Sequence, residues 1–142
     1  MSDIGYTFNP SDHVLVAHYL IGKVTGVLPT EDCVVGEIDL YSENFDLKEL
    51  FRERLRHGND NLIYCFTRLK KKTENGKRFN RTSGSGNSIC TWKGQDKGKD
   101  IFDQQGRHIG TKKLFTCYTN KRPAGFCMTE YSLAGQYESL AK

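Results

Sequence analysis

The run His108–Thr119, HIGTKKLFTCYT, followed after a short break by Phe126–Leu133, FCMTEYSL, decides the fold. Both are rich in aromatic and β-branched residues, which fit a pleated, half-buried surface. Working back along the chain, Ile89–Lys97 (ICTWKGQDK) and Leu62–Leu69 (LIYCFTRL) have the same character. Turn clusters separate the four runs: Glu74-Asn75-Gly76, Ser83-Gly84-Ser85-Gly86 and Gln104-Gln105-Gly106. No helical run lies between them, so they are expected to pair antiparallel. Tyr64, Phe66, Phe115, Tyr118, Phe126 and Tyr131 read as their core aromatics.

Helices belong to the earlier part. After Pro10-Ser11-Asp12 comes HVLVAHYLIGKVTG, in which Val14, Leu15, Ala17, Leu20, Ile21 and Val24 give a mostly apolar helix with Ser11 as N-cap and Gly26 as its end. A second, shorter helix is expected over Leu47–Leu55, capped by Asp46 and closed by the His57-Gly58-Asn59 turn. The fold class is therefore α+β, a twisted antiparallel sheet flanked by a few helices. Its 142 residues suffice for one domain with its own core. No apolar stretch approaches the length of a membrane helix, so no membrane partner is expected. The N-terminal MSDIGYTF lacks the leader of a secreted chain, which implies an intracellular site and reduced cysteines. Those cysteines, Cys33, Cys65, Cys90, Cys117 and Cys127, are scattered without a C-x-x-C pair, and His13, His18, His57 and His108 do not complement them. Neither a metal nor any other cofactor is expected, and no local Cys/His pair supplies a nucleophile with its base.

Charge is divided unevenly. Residues 1–60 carry 5 Lys+Arg against 11 Asp+Glu, a net −6, whereas residues 61–142 carry 16 against 6, a net +10. Such asymmetry suggests that the later part faces a polyanion. The densest segment is RLKKKTENGKRFNR, Arg68–Arg81, with Arg68, Lys70, Lys71, Lys72, Lys77, Arg78 and Arg81 against the single acid Glu74. Cations on a turn and its flanking strands can neutralise phosphates along a duplex. In Ser88–Asp100, strand alternation puts Cys90, Trp92, Gly94 and Asp96 on one face and Thr91, Lys93, Gln95 and Lys97 on the other. Trp92 then points inward, while two cations and an amide face outward, a set able to reach phosphates and base edges. Lys99, the neighbours Lys112 and Lys113, and the pair Lys121-Arg122 before Pro123 complete the candidate duplex contacts.

Several motifs follow one another in the order of a known family. GYTFNPSDHVLVAHYL is similar to its opening G-F-R-F-x-P-T-D-E-E-L, and Glu37-Ile38-Asp39-Leu40-Tyr41 matches E-I-D-L-Y. Asn75-Gly76 through Arg81 resembles N-G-x-R-x-N-R, Gly84-Ser85-Gly86 the glycine loop after it, and Trp92-Lys93 the W-K that opens the DNA-reading strand. Ile109–Leu114 and Met128–Leu133 resemble the G-x-K-K and M-H-E-Y-R-L strands, so over residues 5–133 the chain resembles the NAC domain of plant transcription factors. Where the family has W-K-A-T-G-x-D-K, this chain has WKGQDKGK. That string is also similar to the W-R-K-Y-G-Q-K strand of another plant DNA-binding family, whose zinc set and terminal H-x-H are absent here.

The resemblance implies sequence-specific binding of double-stranded DNA, transcriptional regulation in the nucleus and no catalysis. Family contacts map onto Arg78, Arg81 and Lys93. Gln95, Lys97 and Lys99 join them from alternation and charge. Family members pair through their N-terminal segments, aided by an ion pair between the arginine of G-F-R-F and the second glutamate of D-E-E-L. Those positions are Thr7 and Val14 here, so the interface Tyr6, Thr7, Phe8 and Val14 is expected to give at most a weak homodimer, or a heterodimer with other NAC proteins. The rival reading is a NAC-like interaction module that pairs with family members and binds DNA weakly.

Overall fold

The computed structural model describes residues 10–26, 36–56, 63–71, 79–84 and 89–134. The chain divides into two compact units: Met1–Glu31 with Gly98–Lys113 and Glu130–Lys142, and Asp32–Lys97 with Leu114–Thr129. The long strands His108–Thr119 (β8) and Arg122–Leu133 (β9) contribute to both.

In the first unit the N-terminal helix starts as an α turn at Asp12–Val14, widens to a π-helix over Leu15–Leu20 and returns to α over Ile21–Thr25. Gly26, at φ 79°, closes it in the left-handed conformation that a residue without Cβ adopts freely. Ser11 occupies the N-cap position, but its hydroxyl lies 3.2 Å from His13 Nδ1 and caps nothing. The buried face of the helix is carried by Val16, which packs with Ile101, Ile109 and Leu133, and Leu20, Ile21, Val24 and Tyr131 close over this cluster. Strand β7, Lys99–Phe102, pairs antiparallel with the start of β8. Gly110 sits where nothing larger fits: a Cβ there would meet the Ser132 carbonyl oxygen at 2.7 Å and Val16 Cγ1 at 3.0 Å.

The second unit holds the second helix, Leu47–Arg56, and most of the short strands. Asp46 caps that helix as expected, its Oδ1 accepting the Glu49 N–H at 3.2 Å. Gly36–Glu37 (β1) and Cys65–Phe66 (β2) form a parallel pair, and Lys70–Lys71 (β3) pairs antiparallel with Phe79–Asn80 (β4). Thr82–Ser83 (β5) lies beside Cys90–Gly94 (β6), which in turn pairs with β8 in the register Trp92↔Cys117 and Lys93↔Thr116. The core is Leu40, Tyr41, Cys90, Trp92, Phe115 and Cys117, with Phe45, Leu47, Ala124, Phe126 and Met128 against it.

The architecture is thus the expected α+β one of antiparallel strands with short helices, with several local differences. Among the described residues 63–69 the expected strand is only the two-residue β2, and its partner is parallel. Strand β6 stops at Gly94, short of Lys97. Cys90 and Cys117 stand sulfur to sulfur in the core, their Cα atoms 5.6 Å apart, a contact that the scattered cysteines did not foretell. Cys65 and Cys127 are free, and burial pushes the Cys65 thiol pKa up. Finally, of the expected core aromatics, Tyr64, Phe66 and Tyr118 lie outside both core clusters.

Candidate nucleic-acid interface

Strand β6 alternates as far as Lys93, and Gly94, expected on the inner face, is exposed. Cys90 and Trp92 are buried, Thr91 and Lys93 exposed. The inward facing of Trp92 is fixed by more than apolar contact, because its Nε1–H donates to Ser83 Oγ at 3.0 Å and that hydroxyl donates to the Leu40 carbonyl at 2.6 Å. Ser83 is 1% exposed, so this chain satisfies polar groups that water cannot reach. With Trp92 held, its neighbour Lys93 must face outward.

Lys93 is not an unconstrained surface cation. Its Nζ stands 5.0 Å from the ring centroid of Tyr118, across the strand pair. Beyond Gly94 the strand alternation no longer applies. The Gln95 amide folds back to donate to the Lys93 carbonyl at 3.1 Å, and Asp96 Oδ1 accepts the Leu114 N–H at 3.3 Å. Gln95 and Lys97 are both exposed, but as parts of a turn and not as the continued face of a strand.

Arg81 is half-buried. Its guanidinium stands over Phe115 at 4.5 Å, with Phe79 at 5.7 Å and Tyr41 at 5.9 Å, and donates to the Tyr41 hydroxyl at 3.3 Å. It packs the edge of the core, a role that charge density alone does not reveal. Lys121 and Arg122 are exposed where β8 turns into β9. Asn120 and Lys121 have φ of 53° and 66°, positive at both central positions of a two-residue hairpin, as a type I′ turn requires.

In the first unit Lys99 is exposed and stands opposite Lys112 in the β7–β8 register, a like-charge cross-strand pair. Asp12 compensates for it. Its carboxylate accepts from Lys112 Nζ at 2.7 Å and from the Tyr131 hydroxyl at 2.8 Å. The Lys112 hydrogen bond lowers the Asp12 pKa, assisted by Tyr131 against the opposing effect of burial. Lys113 is half-buried. Gly98 has φ +88° with the Lys112 carbonyl 3.3 Å from where a Cβ would stand, so it serves the turn into β7. Arg78 and the N-terminal Tyr6, Thr7 and Phe8 lie outside the described residues, and Val14 is half-buried in the N-terminal helix.

Sequence reasoning missed Asp12, Ser83 and Tyr118. Only Tyr118 left a usable signal. Phe115 and Cys117 are inward by parity, and the same parity turns Tyr118 outward. Among the described residues no three His, Cys, Asp or Glu side chains converge on a metal-sized site.

Fold and site together define an α+β domain that presents a lysine and its flanking polar residues from a strand anchored by a buried tryptophan. Residues 3–133 match the family of the No apical meristem (NAM) protein, and the chain belongs to that family, the NAC-domain proteins. It is 33% identical over 138 residues to NAC domain-containing protein 46 of Arabidopsis thaliana, covering 94% of this chain and 38% of that protein. It is 38% identical over 135 residues to NAC domain-containing protein 2 of Oryza sativa subsp. japonica, covering 92% and 39%. To NAC transcription factor 25 of Arabidopsis thaliana it is 36% identical over 143 residues, covering 97% and 42%. The chain spans about two fifths of the length of these curated relatives.

Proposed function

We propose that these 142 residues act as the DNA-binding domain of a plant transcription factor, working in the nucleus without catalysis and reading duplex DNA through the outer face of β6. The observation that carries this reading is the fixed facing of that strand: with Cys90 and Trp92 buried, Thr91 and Lys93 are presented side by side to solvent. Exposed Gln95 and Lys97 continue the presentation in the turn that follows, and exposed Lys99, Lys121 and Arg122 supply further cations for phosphates. Lys112 contributes less, because Asp12 already neutralises it. Arg81 serves as a packing cation first, so Arg81→Ala should weaken duplex binding partly through the core edge that it holds. Arg78 keeps its assignment from the family motif alone.

Selection from a random duplex library followed by a salt titration tests the reading. With about four to six phosphates neutralised, log K should fall against log salt with a slope of roughly −4 to −5. No enrichment and no retention of any duplex at low salt would leave the second reading, an interaction module that pairs with other NAC proteins. The compensated Lys112 and enclosed Arg81 favour that alternative, since both withdraw cations from a potential DNA face. Exposed Lys93, Lys97 and Lys99 weigh against it.

A further inference from the structure

We propose that Tyr118 is a positioning residue for the DNA-reading strand, its ring holding the Lys93 ammonium ready for an acceptor on the duplex. This rests on the reading of β6 given above. The β6–β8 register pairs Lys93 with Thr116 and Thr91 with Tyr118. Lys93 and Tyr118 are therefore diagonal neighbours on one face, at a separation that an aromatic ring and a long side chain can span. They do so, with Nζ 5.0 Å from the ring centroid. The Gln95 amide, bonded to the Lys93 carbonyl at 3.1 Å, ties down the backbone just beyond the strand.

The physical case concerns entropy and charge together. A lysine on a four-carbon stem loses considerable rotamer freedom when it settles on one acceptor. A ring that already confines the ammonium reduces the loss at the moment of binding. The π-face attracts one side of the ammonium, which has three N–H donors, so the others remain for a phosphate oxygen or a guanine edge. Core packing does not account for the tyrosine. It projects from the face opposite Phe115 and Cys117, which are buried, and it is only half-buried itself.

The test is a double-mutant cycle on the full chain, with the duplex most enriched from a random library as probe. Tyr118→Leu should weaken binding about two- to five-fold, the size of an exposed cation–π contact. Tyr118→Phe, which keeps the π-face, should bind as the parent does. In a Lys93→Ala background Tyr118→Leu should change nothing. Equal losses in both backgrounds, or a loss with Tyr118→Phe as large as with Tyr118→Leu, would overturn the proposal. Should Tyr118→Leu fail to fold, Tyr118→Thr, which retains β propensity, takes its place in the cycle.

A measurement without DNA separates this proposal from the reading beneath it. The Lys93 side-chain protons should show upfield ring-current shifts by NMR in the parent chain and lose them in Tyr118→Leu. Parent shifts at ordinary lysine values overturn the positioning contact while leaving DNA binding intact. Shifted lysine protons with no duplex retained overturn the DNA reading, and the positioning role falls with it.

Discussion

Ser83 shows how much can depend on one small side chain. Its hydroxyl stands between an indole N–H and a backbone carbonyl at 3.0 Å and 2.6 Å, with all three groups shut away from water. Ser83→Ala would strand both partners, and a loss of about 1–3 kcal/mol is expected in urea unfolding. Trp92→Ala removes the ring itself and should cost about 3–5 kcal/mol. A Ser83→Ala protein as stable as its parent would show that the indole finds another acceptor and that the hydroxyl is dispensable. The facing of Trp92 was legible from alternation in ICTWK, whereas nothing in a serine next to a glycine loop foretold its partner nine residues on. Asp12 was equally hidden, because its contacts with Lys112 and Tyr131 lie 100 and 119 residues away along the chain. Its lowered pKa sets a pH dependence of definite sign. The stabilisation is present above the unfolded carboxylate value of about 3.9 and disappears as pH falls through the lower folded value. At 40% side-chain exposure the contact is screened by solvent and is worth only about 0.2–1 kcal/mol. The stability gap between the parent and Asp12→Asn should therefore be open at pH 7 and shrink below about pH 4. A gap that widens with acid would contradict the assignment.

At the scale of elements, the limits of β8 and the start of the second helix follow from sequence because their signals are local. His108–Thr119 is a continuous strand with turn residues at both ends, and Asp46 caps its helix as its type suggests. Strand β9 begins at Arg122, four residues before Phe126, and those four went unread because Pro123 and Gly125 break the pattern that marks a strand. Strand β7 went unseen: three of its four residues, Lys99, Asp100 and Phe102, are exposed, so it lacks a conspicuous apolar side. The π stretch at Leu15–Leu20 was equally hidden, since six apolar-rich residues fit either helical period. The hairpin between β8 and β9 gives a prediction that concerns the turn alone. Lys121 holds φ at 66°, a region costing an ordinary residue about 1–2 kcal/mol. Glycine avoids that cost but brings about 0.4–1 kcal/mol of extra freedom to the unfolded chain. Lys121→Gly is thus expected to stabilise by about 0.5–1 kcal/mol and to raise Tm by a few degrees. A lower Tm would mean that the lysine side chain makes a stabilising contact that outweighs its backbone cost.

For the whole molecule, the split between −6 over residues 1–60 and +10 over residues 61–142 is written in the sequence, but what each charge does is not. Arg81 spends its guanidinium on three aromatic rings and Lys112 on Asp12, so the field available to a polyanion is smaller than the count suggests. Net charge also says nothing about assembly, where two neutral residues matter more. By resemblance to the family's opening G-F-R-F-x-P-T-D-E-E-L, Thr7 and Val14 take the positions of an arginine and a glutamate expected to pair across a dimer. A partly desolvated contact of that kind contributes about 1–3 kcal/mol, and a twofold interface contains it twice. Losing about 2–6 kcal/mol, at about 1.4 kcal/mol per tenfold, weakens a homodimer by about thirtyfold to ten thousandfold. Replacement apolar contacts from Val14 and Tyr6 against their symmetry mates are the means by which the interface would recover. Without them, sedimentation across a concentration series should find a monomer at low micromolar concentration. Adding a NAC protein that retains both charges should not restore the contact, because its arginine would face Val14 and its glutamate Thr7. A dimer that persists at nanomolar concentration would overturn this expectation and point to a replacement interface built from those apolar side chains.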